Sequence, residues 1–334
     1  MALWTPDRTT TALWLDAADT STITESDGLV SAWADKSGNP VLYAEAMTTS
    51  ERPSIVADAY NSNTALNFNG SSNRLMLSSY WLGLARNVAS YTVFHVAELT
   101  NPDSFENSVL MLYNGVNDIQ IRNRPGMSAL GYRRLDSDAY SSASYGLPDP
   151  DGITLTTHVT DYLNGKAYVG RNGSFNEYLS LLSSGTTSDT DSVVITIGAT
   201  GNSNTSQNFE GRICEIIALR YFPDIGLRQK IEGYLAHKWG LAASLPAEHP
   251  YKIAAPTYGF FHGTVIDKDG NPAERRITVL DATGHCVATD TSDPVTGAYS
   301  IDMPNDDPYT LVFDGEPDRN AQVFANVIPG EPPA

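Results

Sequence analysis

The sequence predicts an all-β protein: an antiparallel jelly-roll sandwich with one C-terminal amphipathic helix, followed by a small Ig-like or transthyretin-like β-sandwich. Three observations predict this class. Short β-branched runs recur along the chain, Asn-Gly and similar turns separate them, and strands do not alternate regularly with helices. Asn-Gly favours tight hairpins because both residues tolerate positive φ. Many short strands joined by turns are typical of antiparallel sandwiches.

Six apolar or alternating runs predict the main strands of the larger sandwich. They are Tyr91–Ala97, Ser108–Tyr113, Ile153–Val159, Lys166–Gly170, Ser192–Gly198 and Gly211–Leu219. Turn residues lie between the runs, among them Asn69-Gly70, Asn164-Gly165 and Asn172-Gly173. We therefore expect consecutive strands to form hairpins.

One segment has helical periodicity. Apolar residues follow one face over about three turns, at Leu227, Ile231, Tyr234, Leu235 and Trp239. Asp224 is placed to cap the N-terminus, and Gly240 follows where a left-handed residue ends a helix. We expect the other side to face solvent, and it carries Arg228, Gln229, Lys230, Glu232 and Lys238.

Prolines and small residues after the helix predict a domain boundary near residues 252–258. Beyond it, five short runs predict a second sandwich: Phe260–Ile266, Arg276–Leu280, His285–Thr289, Gly297–Ile301 and Pro308–Phe313. We divide the chain into an N-terminal arm at 1–10, the jelly roll at 11–252, a linker at 253–258, the small sandwich at 259–328 and a tail at 329–334.

The composition restricts the classes of partner. The 334 residues include 21 basic and 39 acidic side chains, a net charge of −18, which disfavours nucleic acid and anionic membranes. No apolar run reaches the roughly 20 residues that span a bilayer, so we expect no membrane insertion. The first residues do not resemble a signal peptide. Cys214 and Cys286 are the two cysteines, too few for a disulfide framework.

Several motifs of the larger region resemble concanavalin A-like, laminin-G-type jelly rolls of bacteriophage tail-associated proteins and bacterial surface proteins. The matching pieces are Ala12–Ala17, Asp27–Asn39, Arg52-Pro53, Ala65–Gly70, Phe209–Ile217, Ile231–Gly240 and Leu245–Tyr251. The second region resembles a carboxypeptidase-regulatory-like sandwich of the kind appended to phage tail proteins. Its matching pieces are Gly263–Pro272, Arg275–Asp281, Gly297–Ile301 and Tyr309–Phe313.

The resemblance implies a structural or adhesive protein rather than an enzyme. We expect a virion protein of the tail or baseplate, assembled in the host cytoplasm, with attachment to a host-surface glycan. Its expected partners are other virion proteins and further copies of itself. A capsid decoration or head-fibre protein is one alternative, and a polysaccharide-active glycosidase of the same fold is another.

The carboxylates do not show the spacing of a glycosidase. Retaining hydrolysis needs two carboxyl groups about 5–5.5 Å apart, and residues i and i+2 share one face of a strand. Neither Glu210 nor Glu215 has an acid two positions away, and Glu25 and Asp27 stand next to a turn at Gly28. We predict no catalytic residues.

A cluster of arginines and tyrosines predicts a ligand or partner surface. It comprises Arg122, Arg124, Tyr132, Arg133, Arg134, Tyr140 and Tyr145, a concentration of positive charge in an acidic chain. Arg and Tyr are enriched at binding hot spots. The alternative is that these arginines pair with surplus carboxylates of the same chain, with little energetic effect.

Two acidic pairs have spacing that suits a hard cation such as Ca²⁺. They are Asp189 with Asp191, and Asp267 with Asp269. A solvated loop is the favoured explanation of the first pair, and an Asp-Gly hairpin is the favoured explanation of the second. We therefore predict no cofactor and leave calcium open.

The histidines and tryptophans have plainer interpretations. His95 and His158 lie within predicted strands, where a satisfied or exposed histidine is the expectation. His249 lies in a proline-rich turn, which suggests a surface or packing role rather than metal ligation. Trp14, Trp33 and Trp239 lie in the recurring motifs and are expected in the core.

Overall fold

A computed structural model describes residues 2–38, 43–77, 86–100, 107–113, 118–124, 127–135, 141–146, 152–178, 184–189, 194–200, 208–303, 308–315 and 321–329. These residues form antiparallel strands and one α-helix, which confirms the all-β class. Short 3₁₀ helices lie at Pro6–Arg8, Thr20–Thr22, Thr49–Glu51 and Ala242–Ser244.

The strands and the helix have the following bounds. They are β1 (Ala2–Leu3), β2 (Leu13–Asp16), β3 (Ile23–Ser26), β4 (Leu29–Ala34), β5 (Tyr43–Glu45), β6 (Ser54–Tyr60), β7 (Asn63–Asn69), β8 (Leu75–Leu77), β9 (Ser90–Leu99), β10 (Asn107–Tyr113), β11 (Asp118–Arg124), β12 (Met127–Arg133), β13 (Ser141–Gly146), β14 (Ile153–Asp161), β15 (Lys166–Arg171), β16 (Ser174–Tyr178), β17 (Val194–Ile197), β18 (Glu210–Leu219), α1 (Ile225–Lys238), β19 (Thr257–Thr264), β20 (Arg276–Leu280), β21 (Cys286–Thr291), β22 (Ala298–Met303), β23 (Tyr309–Phe313) and β24 (Gln322–Val327).

The chain forms two compact units. The larger unit comprises Thr5–Ala254, and the smaller unit combines Ala255–Ala334 with Met1–Trp4. Strand β1 pairs antiparallel with β19, and the amide of Trp4 donates to the carbonyl of Pro256 at 2.9 Å. Residues 1–10, predicted as a single arm, therefore divide between the two units after Trp4.

The larger unit is a sandwich of two layers. One layer runs β16-β15-β14-β9-β18, with β7 and β2 sharing the far edge of β18. The other runs β3-β4-β5-β8-β17-β10-β11-β12-β13. The β6–β7 hairpin joins them, since β6 pairs with β4 at Ser54. Apolar residues of both layers meet in one core, including Leu15, Trp33, Val93 and Ile216.

Strand β9 shows why the layers form. Its alternate residues Tyr91, Val93 and Ala97 belong to the core between the layers. Phe94 is on the opposite face and is also fully buried, because that face is covered by α1, which contacts β9 and β14. A strand buried on both faces reads as a continuous apolar run rather than an alternating one.

Helix α1 confirms the predicted helix and both of its ends. The Asp224 carboxylate accepts a hydrogen bond from the amide of Leu227 at 2.8 Å, and Gly240 has φ +76°. The prediction that its polar side faces solvent is wrong, because Arg228 and Glu232 are buried. The segment after the helix covers this side: a Cβ atom on Gly233 would lie 2.5 Å from the Cβ atom of Tyr251.

The smaller unit has two sheets around its own core. The three-stranded sheet runs β1-β19-β22 and the four-stranded sheet runs β21-β20-β23-β24. Phe261, Ile277, Ile301 and Leu311 lie in the core between them. Among the residues that the structure describes, no helix has the length and apolar character to cross a membrane.

Candidate functional site

The predicted arginines lie on neighbouring strands of the second layer. Arg122 and Arg124 are on β11, and Arg133 is on β12; the positions of their side chains are outside what the structure describes. In the β11–β12 register, Arg122 is opposite Ala129, Arg124 is opposite Met127 and Arg133 is opposite Asp118. Directly opposed residues share a face, so all three arginine positions are on one face of this strand pair.

The predicted tyrosines fall on the other face. Tyr132 on β12 is opposite Ile119, and Tyr145 on β13 is opposite Ser128. This is the face of Ile121, which is fully buried in the core. Tyr140 lies outside the described residues. The register thus places the arginines and the tyrosines of the predicted cluster on opposite faces. The Pro125-Gly126 dipeptide is a hairpin signal in the sequence from which this division could have been predicted.

Arg134 follows the end of β12 and is half-buried. Its Nη1 donates a hydrogen bond to the carbonyl of Thr186 at 3.1 Å. This contact ties the end of β12 to a loop of the same unit, so Arg134 has a structural contact that the sequence does not indicate.

The acidic pairs considered for calcium are engaged with protein groups. The Asp267 carboxylate accepts hydrogen bonds from the amides of Asp269 and Asn271 at 2.8 and 2.9 Å, and these bonds lower its pKa. Asp269 pairs with Lys268 at 2.9 Å. These contacts are those of an Asp-Gly hairpin, the alternative to a calcium site at this pair.

Asp189 forms a 2.8 Å ion pair with Arg86, and Asp191 lies outside the described residues. In the described part of the chain, no three His, Cys, Asp or Glu side chains are grouped so that they could hold a metal ion.

The larger unit contains an acid pair that sequence spacing missed. Glu215 on β18 and Asp16 on β2 are directly opposite each other in the sheet, although they are far apart in the chain. The ammonium group of Lys238 on α1 lies between them, 2.7 Å from Glu215 Oε2 and 2.5 Å from Asp16 Oδ1. Both carboxylates therefore share one cation.

Three further donors complete the surroundings of Glu215. The indole Nε1 atoms of Trp14 and Trp239 each donate at 2.7 Å, and the hydroxyl of Tyr234 donates at 3.0 Å. Burial raises the pKa of Glu215, and Lys238 opposes this increase. Burial and the charge of Glu215 also raise the pKa of Tyr234, which keeps its hydroxyl protonated as a donor.

This acid pair is enclosed. The Glu215 side chain is 0% exposed and that of Asp16 is 4% exposed. A polysaccharide does not reach Glu215 in this arrangement, and the contacts of Lys238, Tyr234 and Trp239 link the helix end to the sheet. The group therefore anchors α1 on the outer face of the first layer.

A second buried acid, Glu232, lies on helix α1 itself. Arg228 donates from Nη1 to both oxygens of Glu232, at 2.8 and 3.0 Å, and Thr157 of β14 donates to Oε1 at 3.1 Å. His249 Nε2 is 3.4 Å from the other oxygen. His249 is buried, as in the packing role that was one of its two expected roles; the sequence does not show that its turn folds back over α1.

Two histidines lie inside the sandwich. The rings of His95 and His158 stack with their centroids 5.4 Å apart and their planes 6° from parallel. Neither is exposed. Within the described residues, the ring nitrogens of His158 have no hydrogen-bond partner, so its predicted satisfied or exposed state is wrong. Burial, together with His95, lowers the pKa of His158 well below its ordinary value.

The smaller unit contains an open groove with a volume of about 760 Å³. Three of its aromatic rings pack edge to face: Tyr299 against Phe313 at 5.5 Å and Phe313 against Phe324 at 5.7 Å between centroids. Arg275 and Gln322 add polar groups to the lining. A volume of this size lies within the range of ligand clefts. Its lining comes from four strands, so no local motif marks it.

No protein-family model matches the chain, and no curated protein matches it. The receptor-binding domain of botulinum neurotoxin mosaic serotype C/D is a similar solved structure, with 11% identity over 94% of this chain and 72% of that chain, and a TM-score of 0.47. Domain 4 of the GH43 arabinanase AbnA from Geobacillus stearothermophilus, in complex with arabinotriose, shares 15% identity over 63% of this chain and 91% of that chain, with a TM-score of 0.44.

The CBM40 of the Ruminococcus gnavus IT-sialidase, bound to α2,3-sialyllactose, is also similar. It shares 15% identity over 41% of this chain and 79% of that chain, with a TM-score of 0.36. At these identities and TM-scores, the likenesses identify neither a ligand nor an activity for this chain.

Proposed function

We propose that this chain is a non-enzymatic structural protein of a bacteriophage particle, carried at the tail or baseplate, whose larger unit attaches to an acidic glycan of the host surface. The proposal combines the motif resemblance with one structural observation. The β11–β12 register brings Arg122, Arg124 and Arg133 onto a single face. Guanidinium groups bind carboxylates in a bidentate manner, which suits uronic and other sugar acids.

The charge of the rest of the chain supports an acidic ligand at this face in particular. Acidic residues exceed basic ones by 39 to 21, so most of the surface repels an acidic polymer. The face with three arginine positions is an exception to this pattern, since the one acid on the same face of β11 and β12 is Asp118, opposite Arg133. An acidic glycan would therefore be directed to the arginine face, defined here as Arg122, Arg124 and Arg133.

Binding to immobilised bacterial polysaccharides tests the proposal. The full chain should bind polymers that contain uronic acids, should not bind neutral dextran, and should lose most of its affinity in an Arg122→Ala/Arg124→Ala variant. Arg276→Ala, which removes an exposed arginine of the smaller unit, is the matched control and should bind normally. Equal binding by the double variant and the wild type would remove the arginine face as the site.

Antibody labelling of assembled particles tests where on the particle this chain is located. We expect antibody against this chain to mark tails or baseplates in electron micrographs. Label on the capsid shell would instead favour the decoration or head-fibre alternative.

The glycosidase alternative makes a different prediction. The Asp16 and Glu215 pair resembles a catalytic pair in its opposed placement, but Lys238 and two indoles occupy its oxygens. We expect no release of reducing sugars from any polysaccharide that the chain binds. Release that disappears in a Glu215→Gln variant would establish the enzyme and contradict the proposal.

A further inference from the structure

Strand β24 is an edge of the four-stranded sheet in the smaller unit, and it carries no charged residue. Among the described residues it pairs only with β23. The strand at the opposite edge, β21, includes Asp290, and the edge strand β22 of the other sheet includes Asp302. Charged side chains on edge strands prevent pairing with other chains, so β24 lacks a protection that the other two have.

The exposed side chains of β24 are uncharged: Gln322 and Asn326 are polar, and Val323, Phe324 and Ala325 are apolar. Val323 is opposite Val312 and is 61% exposed; Phe324 is opposite Leu311 of the core, borders the groove and is 51% exposed. Ile328, just after the strand, is 57% exposed. An apolar edge of this kind is stabilised when a further strand covers it.

Charge indicates which occupant fits. Residues 255–334 contain thirteen acidic and four basic side chains, whereas residues 321–328 contain none of either. Two copies that meet elsewhere on this unit bring acids together, and like charges in contact oppose association. At β24 they do not. An antiparallel strand that meets its own copy across a two-fold axis is also self-complementary.

We propose that two copies of this chain associate through β24, paired antiparallel, so that their two four-stranded sheets become one continuous sheet. Alternate side chains of the incoming strand then lie over the groove beside Phe324. This pairing is independent of the arginine face, which belongs to the larger unit.

The mass of the full chain in solution tests the pairing. Light scattering across a concentration series should approach twice the 36.1 kDa mass of one chain. Val323→Lys should shift the protein to monomer, because the outward position does not enter the core and opposed lysines repel. Val287→Lys, a matched change on the other edge strand β21, should leave the dimer intact. Circular dichroism establishes that both variants are folded.

Amide hydrogen exchange provides a second measurement. The amides of β24 should exchange more slowly in the wild type than in Val323→Lys at the same concentration, while those of β21 should not differ. A wild-type chain that stays monomeric up to its solubility limit would overturn the proposal. So would equal dissociation of both lysine variants, or protection of β24 that appears only when a different virion protein is added.

Discussion

Lys238 is the cation that the buried carboxylates of Asp16 and Glu215 share. Its replacement by methionine leaves the buried carboxylate of Glu215 without a cation, while Asp16 keeps its ion pair with Lys36 at 2.9 Å. Breaking a buried ion pair in this way costs about 3–5 kcal/mol. We expect Lys238→Met to lower the free energy of unfolding by an amount in this range, measured by urea denaturation with tryptophan fluorescence.

Lys230→Met is the control on the same helix. It removes the same charge from a half-buried position. Pairs that remain near solvent contribute about 0–1 kcal/mol, so a loss below about 1 kcal/mol is expected. Equal losses for the two variants would show that Lys238 does not act through the acid pair.

His158 predicts a dependence of stability on pH. Its pKa in the folded chain is well below 6.5, so the unfolded state takes up a proton that the folded state does not. The free energy of unfolding therefore keeps the full contribution of His158 above about pH 7. It falls as the pH decreases below about 6.5, with a slope of at most about 1.4 kcal/mol per pH unit. His158→Phe should make this slope shallower in denaturation curves collected from pH 7.5 to 5.

The exposed His262 supplies the comparison for that measurement. His262→Phe should leave the slope between pH 7.5 and pH 5 unchanged. A His158→Phe slope as steep as that of the wild type would mean that other groups produce the pH dependence.

At the scale of elements, the N-cap of α1 is open to a direct test. Asp224 Oδ1 accepts a hydrogen bond from the amide of Leu227. Replacing an N-cap aspartate by alanine costs about 0.5–2 kcal/mol, whereas asparagine is nearly as good a cap. We expect Asp224→Ala to destabilise the larger unit by this amount in urea denaturation and Asp224→Asn to retain most of the stability. Similar losses in both variants would indicate a contribution from charge rather than from the cap.

Local patterns predicted the elements well. Strand β20 has the predicted bounds, Arg276–Leu280, and β9 extends the predicted Tyr91–Ala97 by one residue at its start and two at its end. The environment of the helix was not predictable in the same way. Helical periodicity distinguishes one face from the other, but it does not show that the segment ending at Tyr251 covers the polar face and buries Glu232.

At the scale of the whole molecule, the net charge of −18 predicts a response to salt. Self-repulsion destabilises a compact chain, and the screening length falls from about 10 Å at 0.1 M to about 3 Å at 1 M salt. We expect sodium chloride to raise the Tm at pH 7.5 by about 2–4 °C, the shift that about 1 kcal/mol gives in a unit of this size. Near the pI of about 4.5 the same salt should have little effect. A Tm that falls with salt at pH 7.5 would contradict this prediction.

The candidate sites depend on contacts that sequence spacing does not contain. Asp16 and Glu215 meet because β2 pairs with β18, and no i, i+2 rule joins residues so distant in the chain. The arginine face was visible as a concentration of charge, and the strand register, which the Pro125-Gly126 hairpin signal indicates only locally, separates it from Tyr132. Composition therefore selected the segment, and strand pairing decided which of its residues share a face.

The pairing of β2 with β18 has a consequence for synthesis. Leu13 lies opposite Ala218, so the first strand of the sandwich has no neighbour on that side until the ribosome has made about two hundred more residues. At about 5–20 residues per second this takes roughly 10–40 s. During that time Leu13, Trp14 and Leu15 lack the partner strand that they have in the folded chain, and we expect chaperones that bind apolar peptides to hold this segment until β18 has been made.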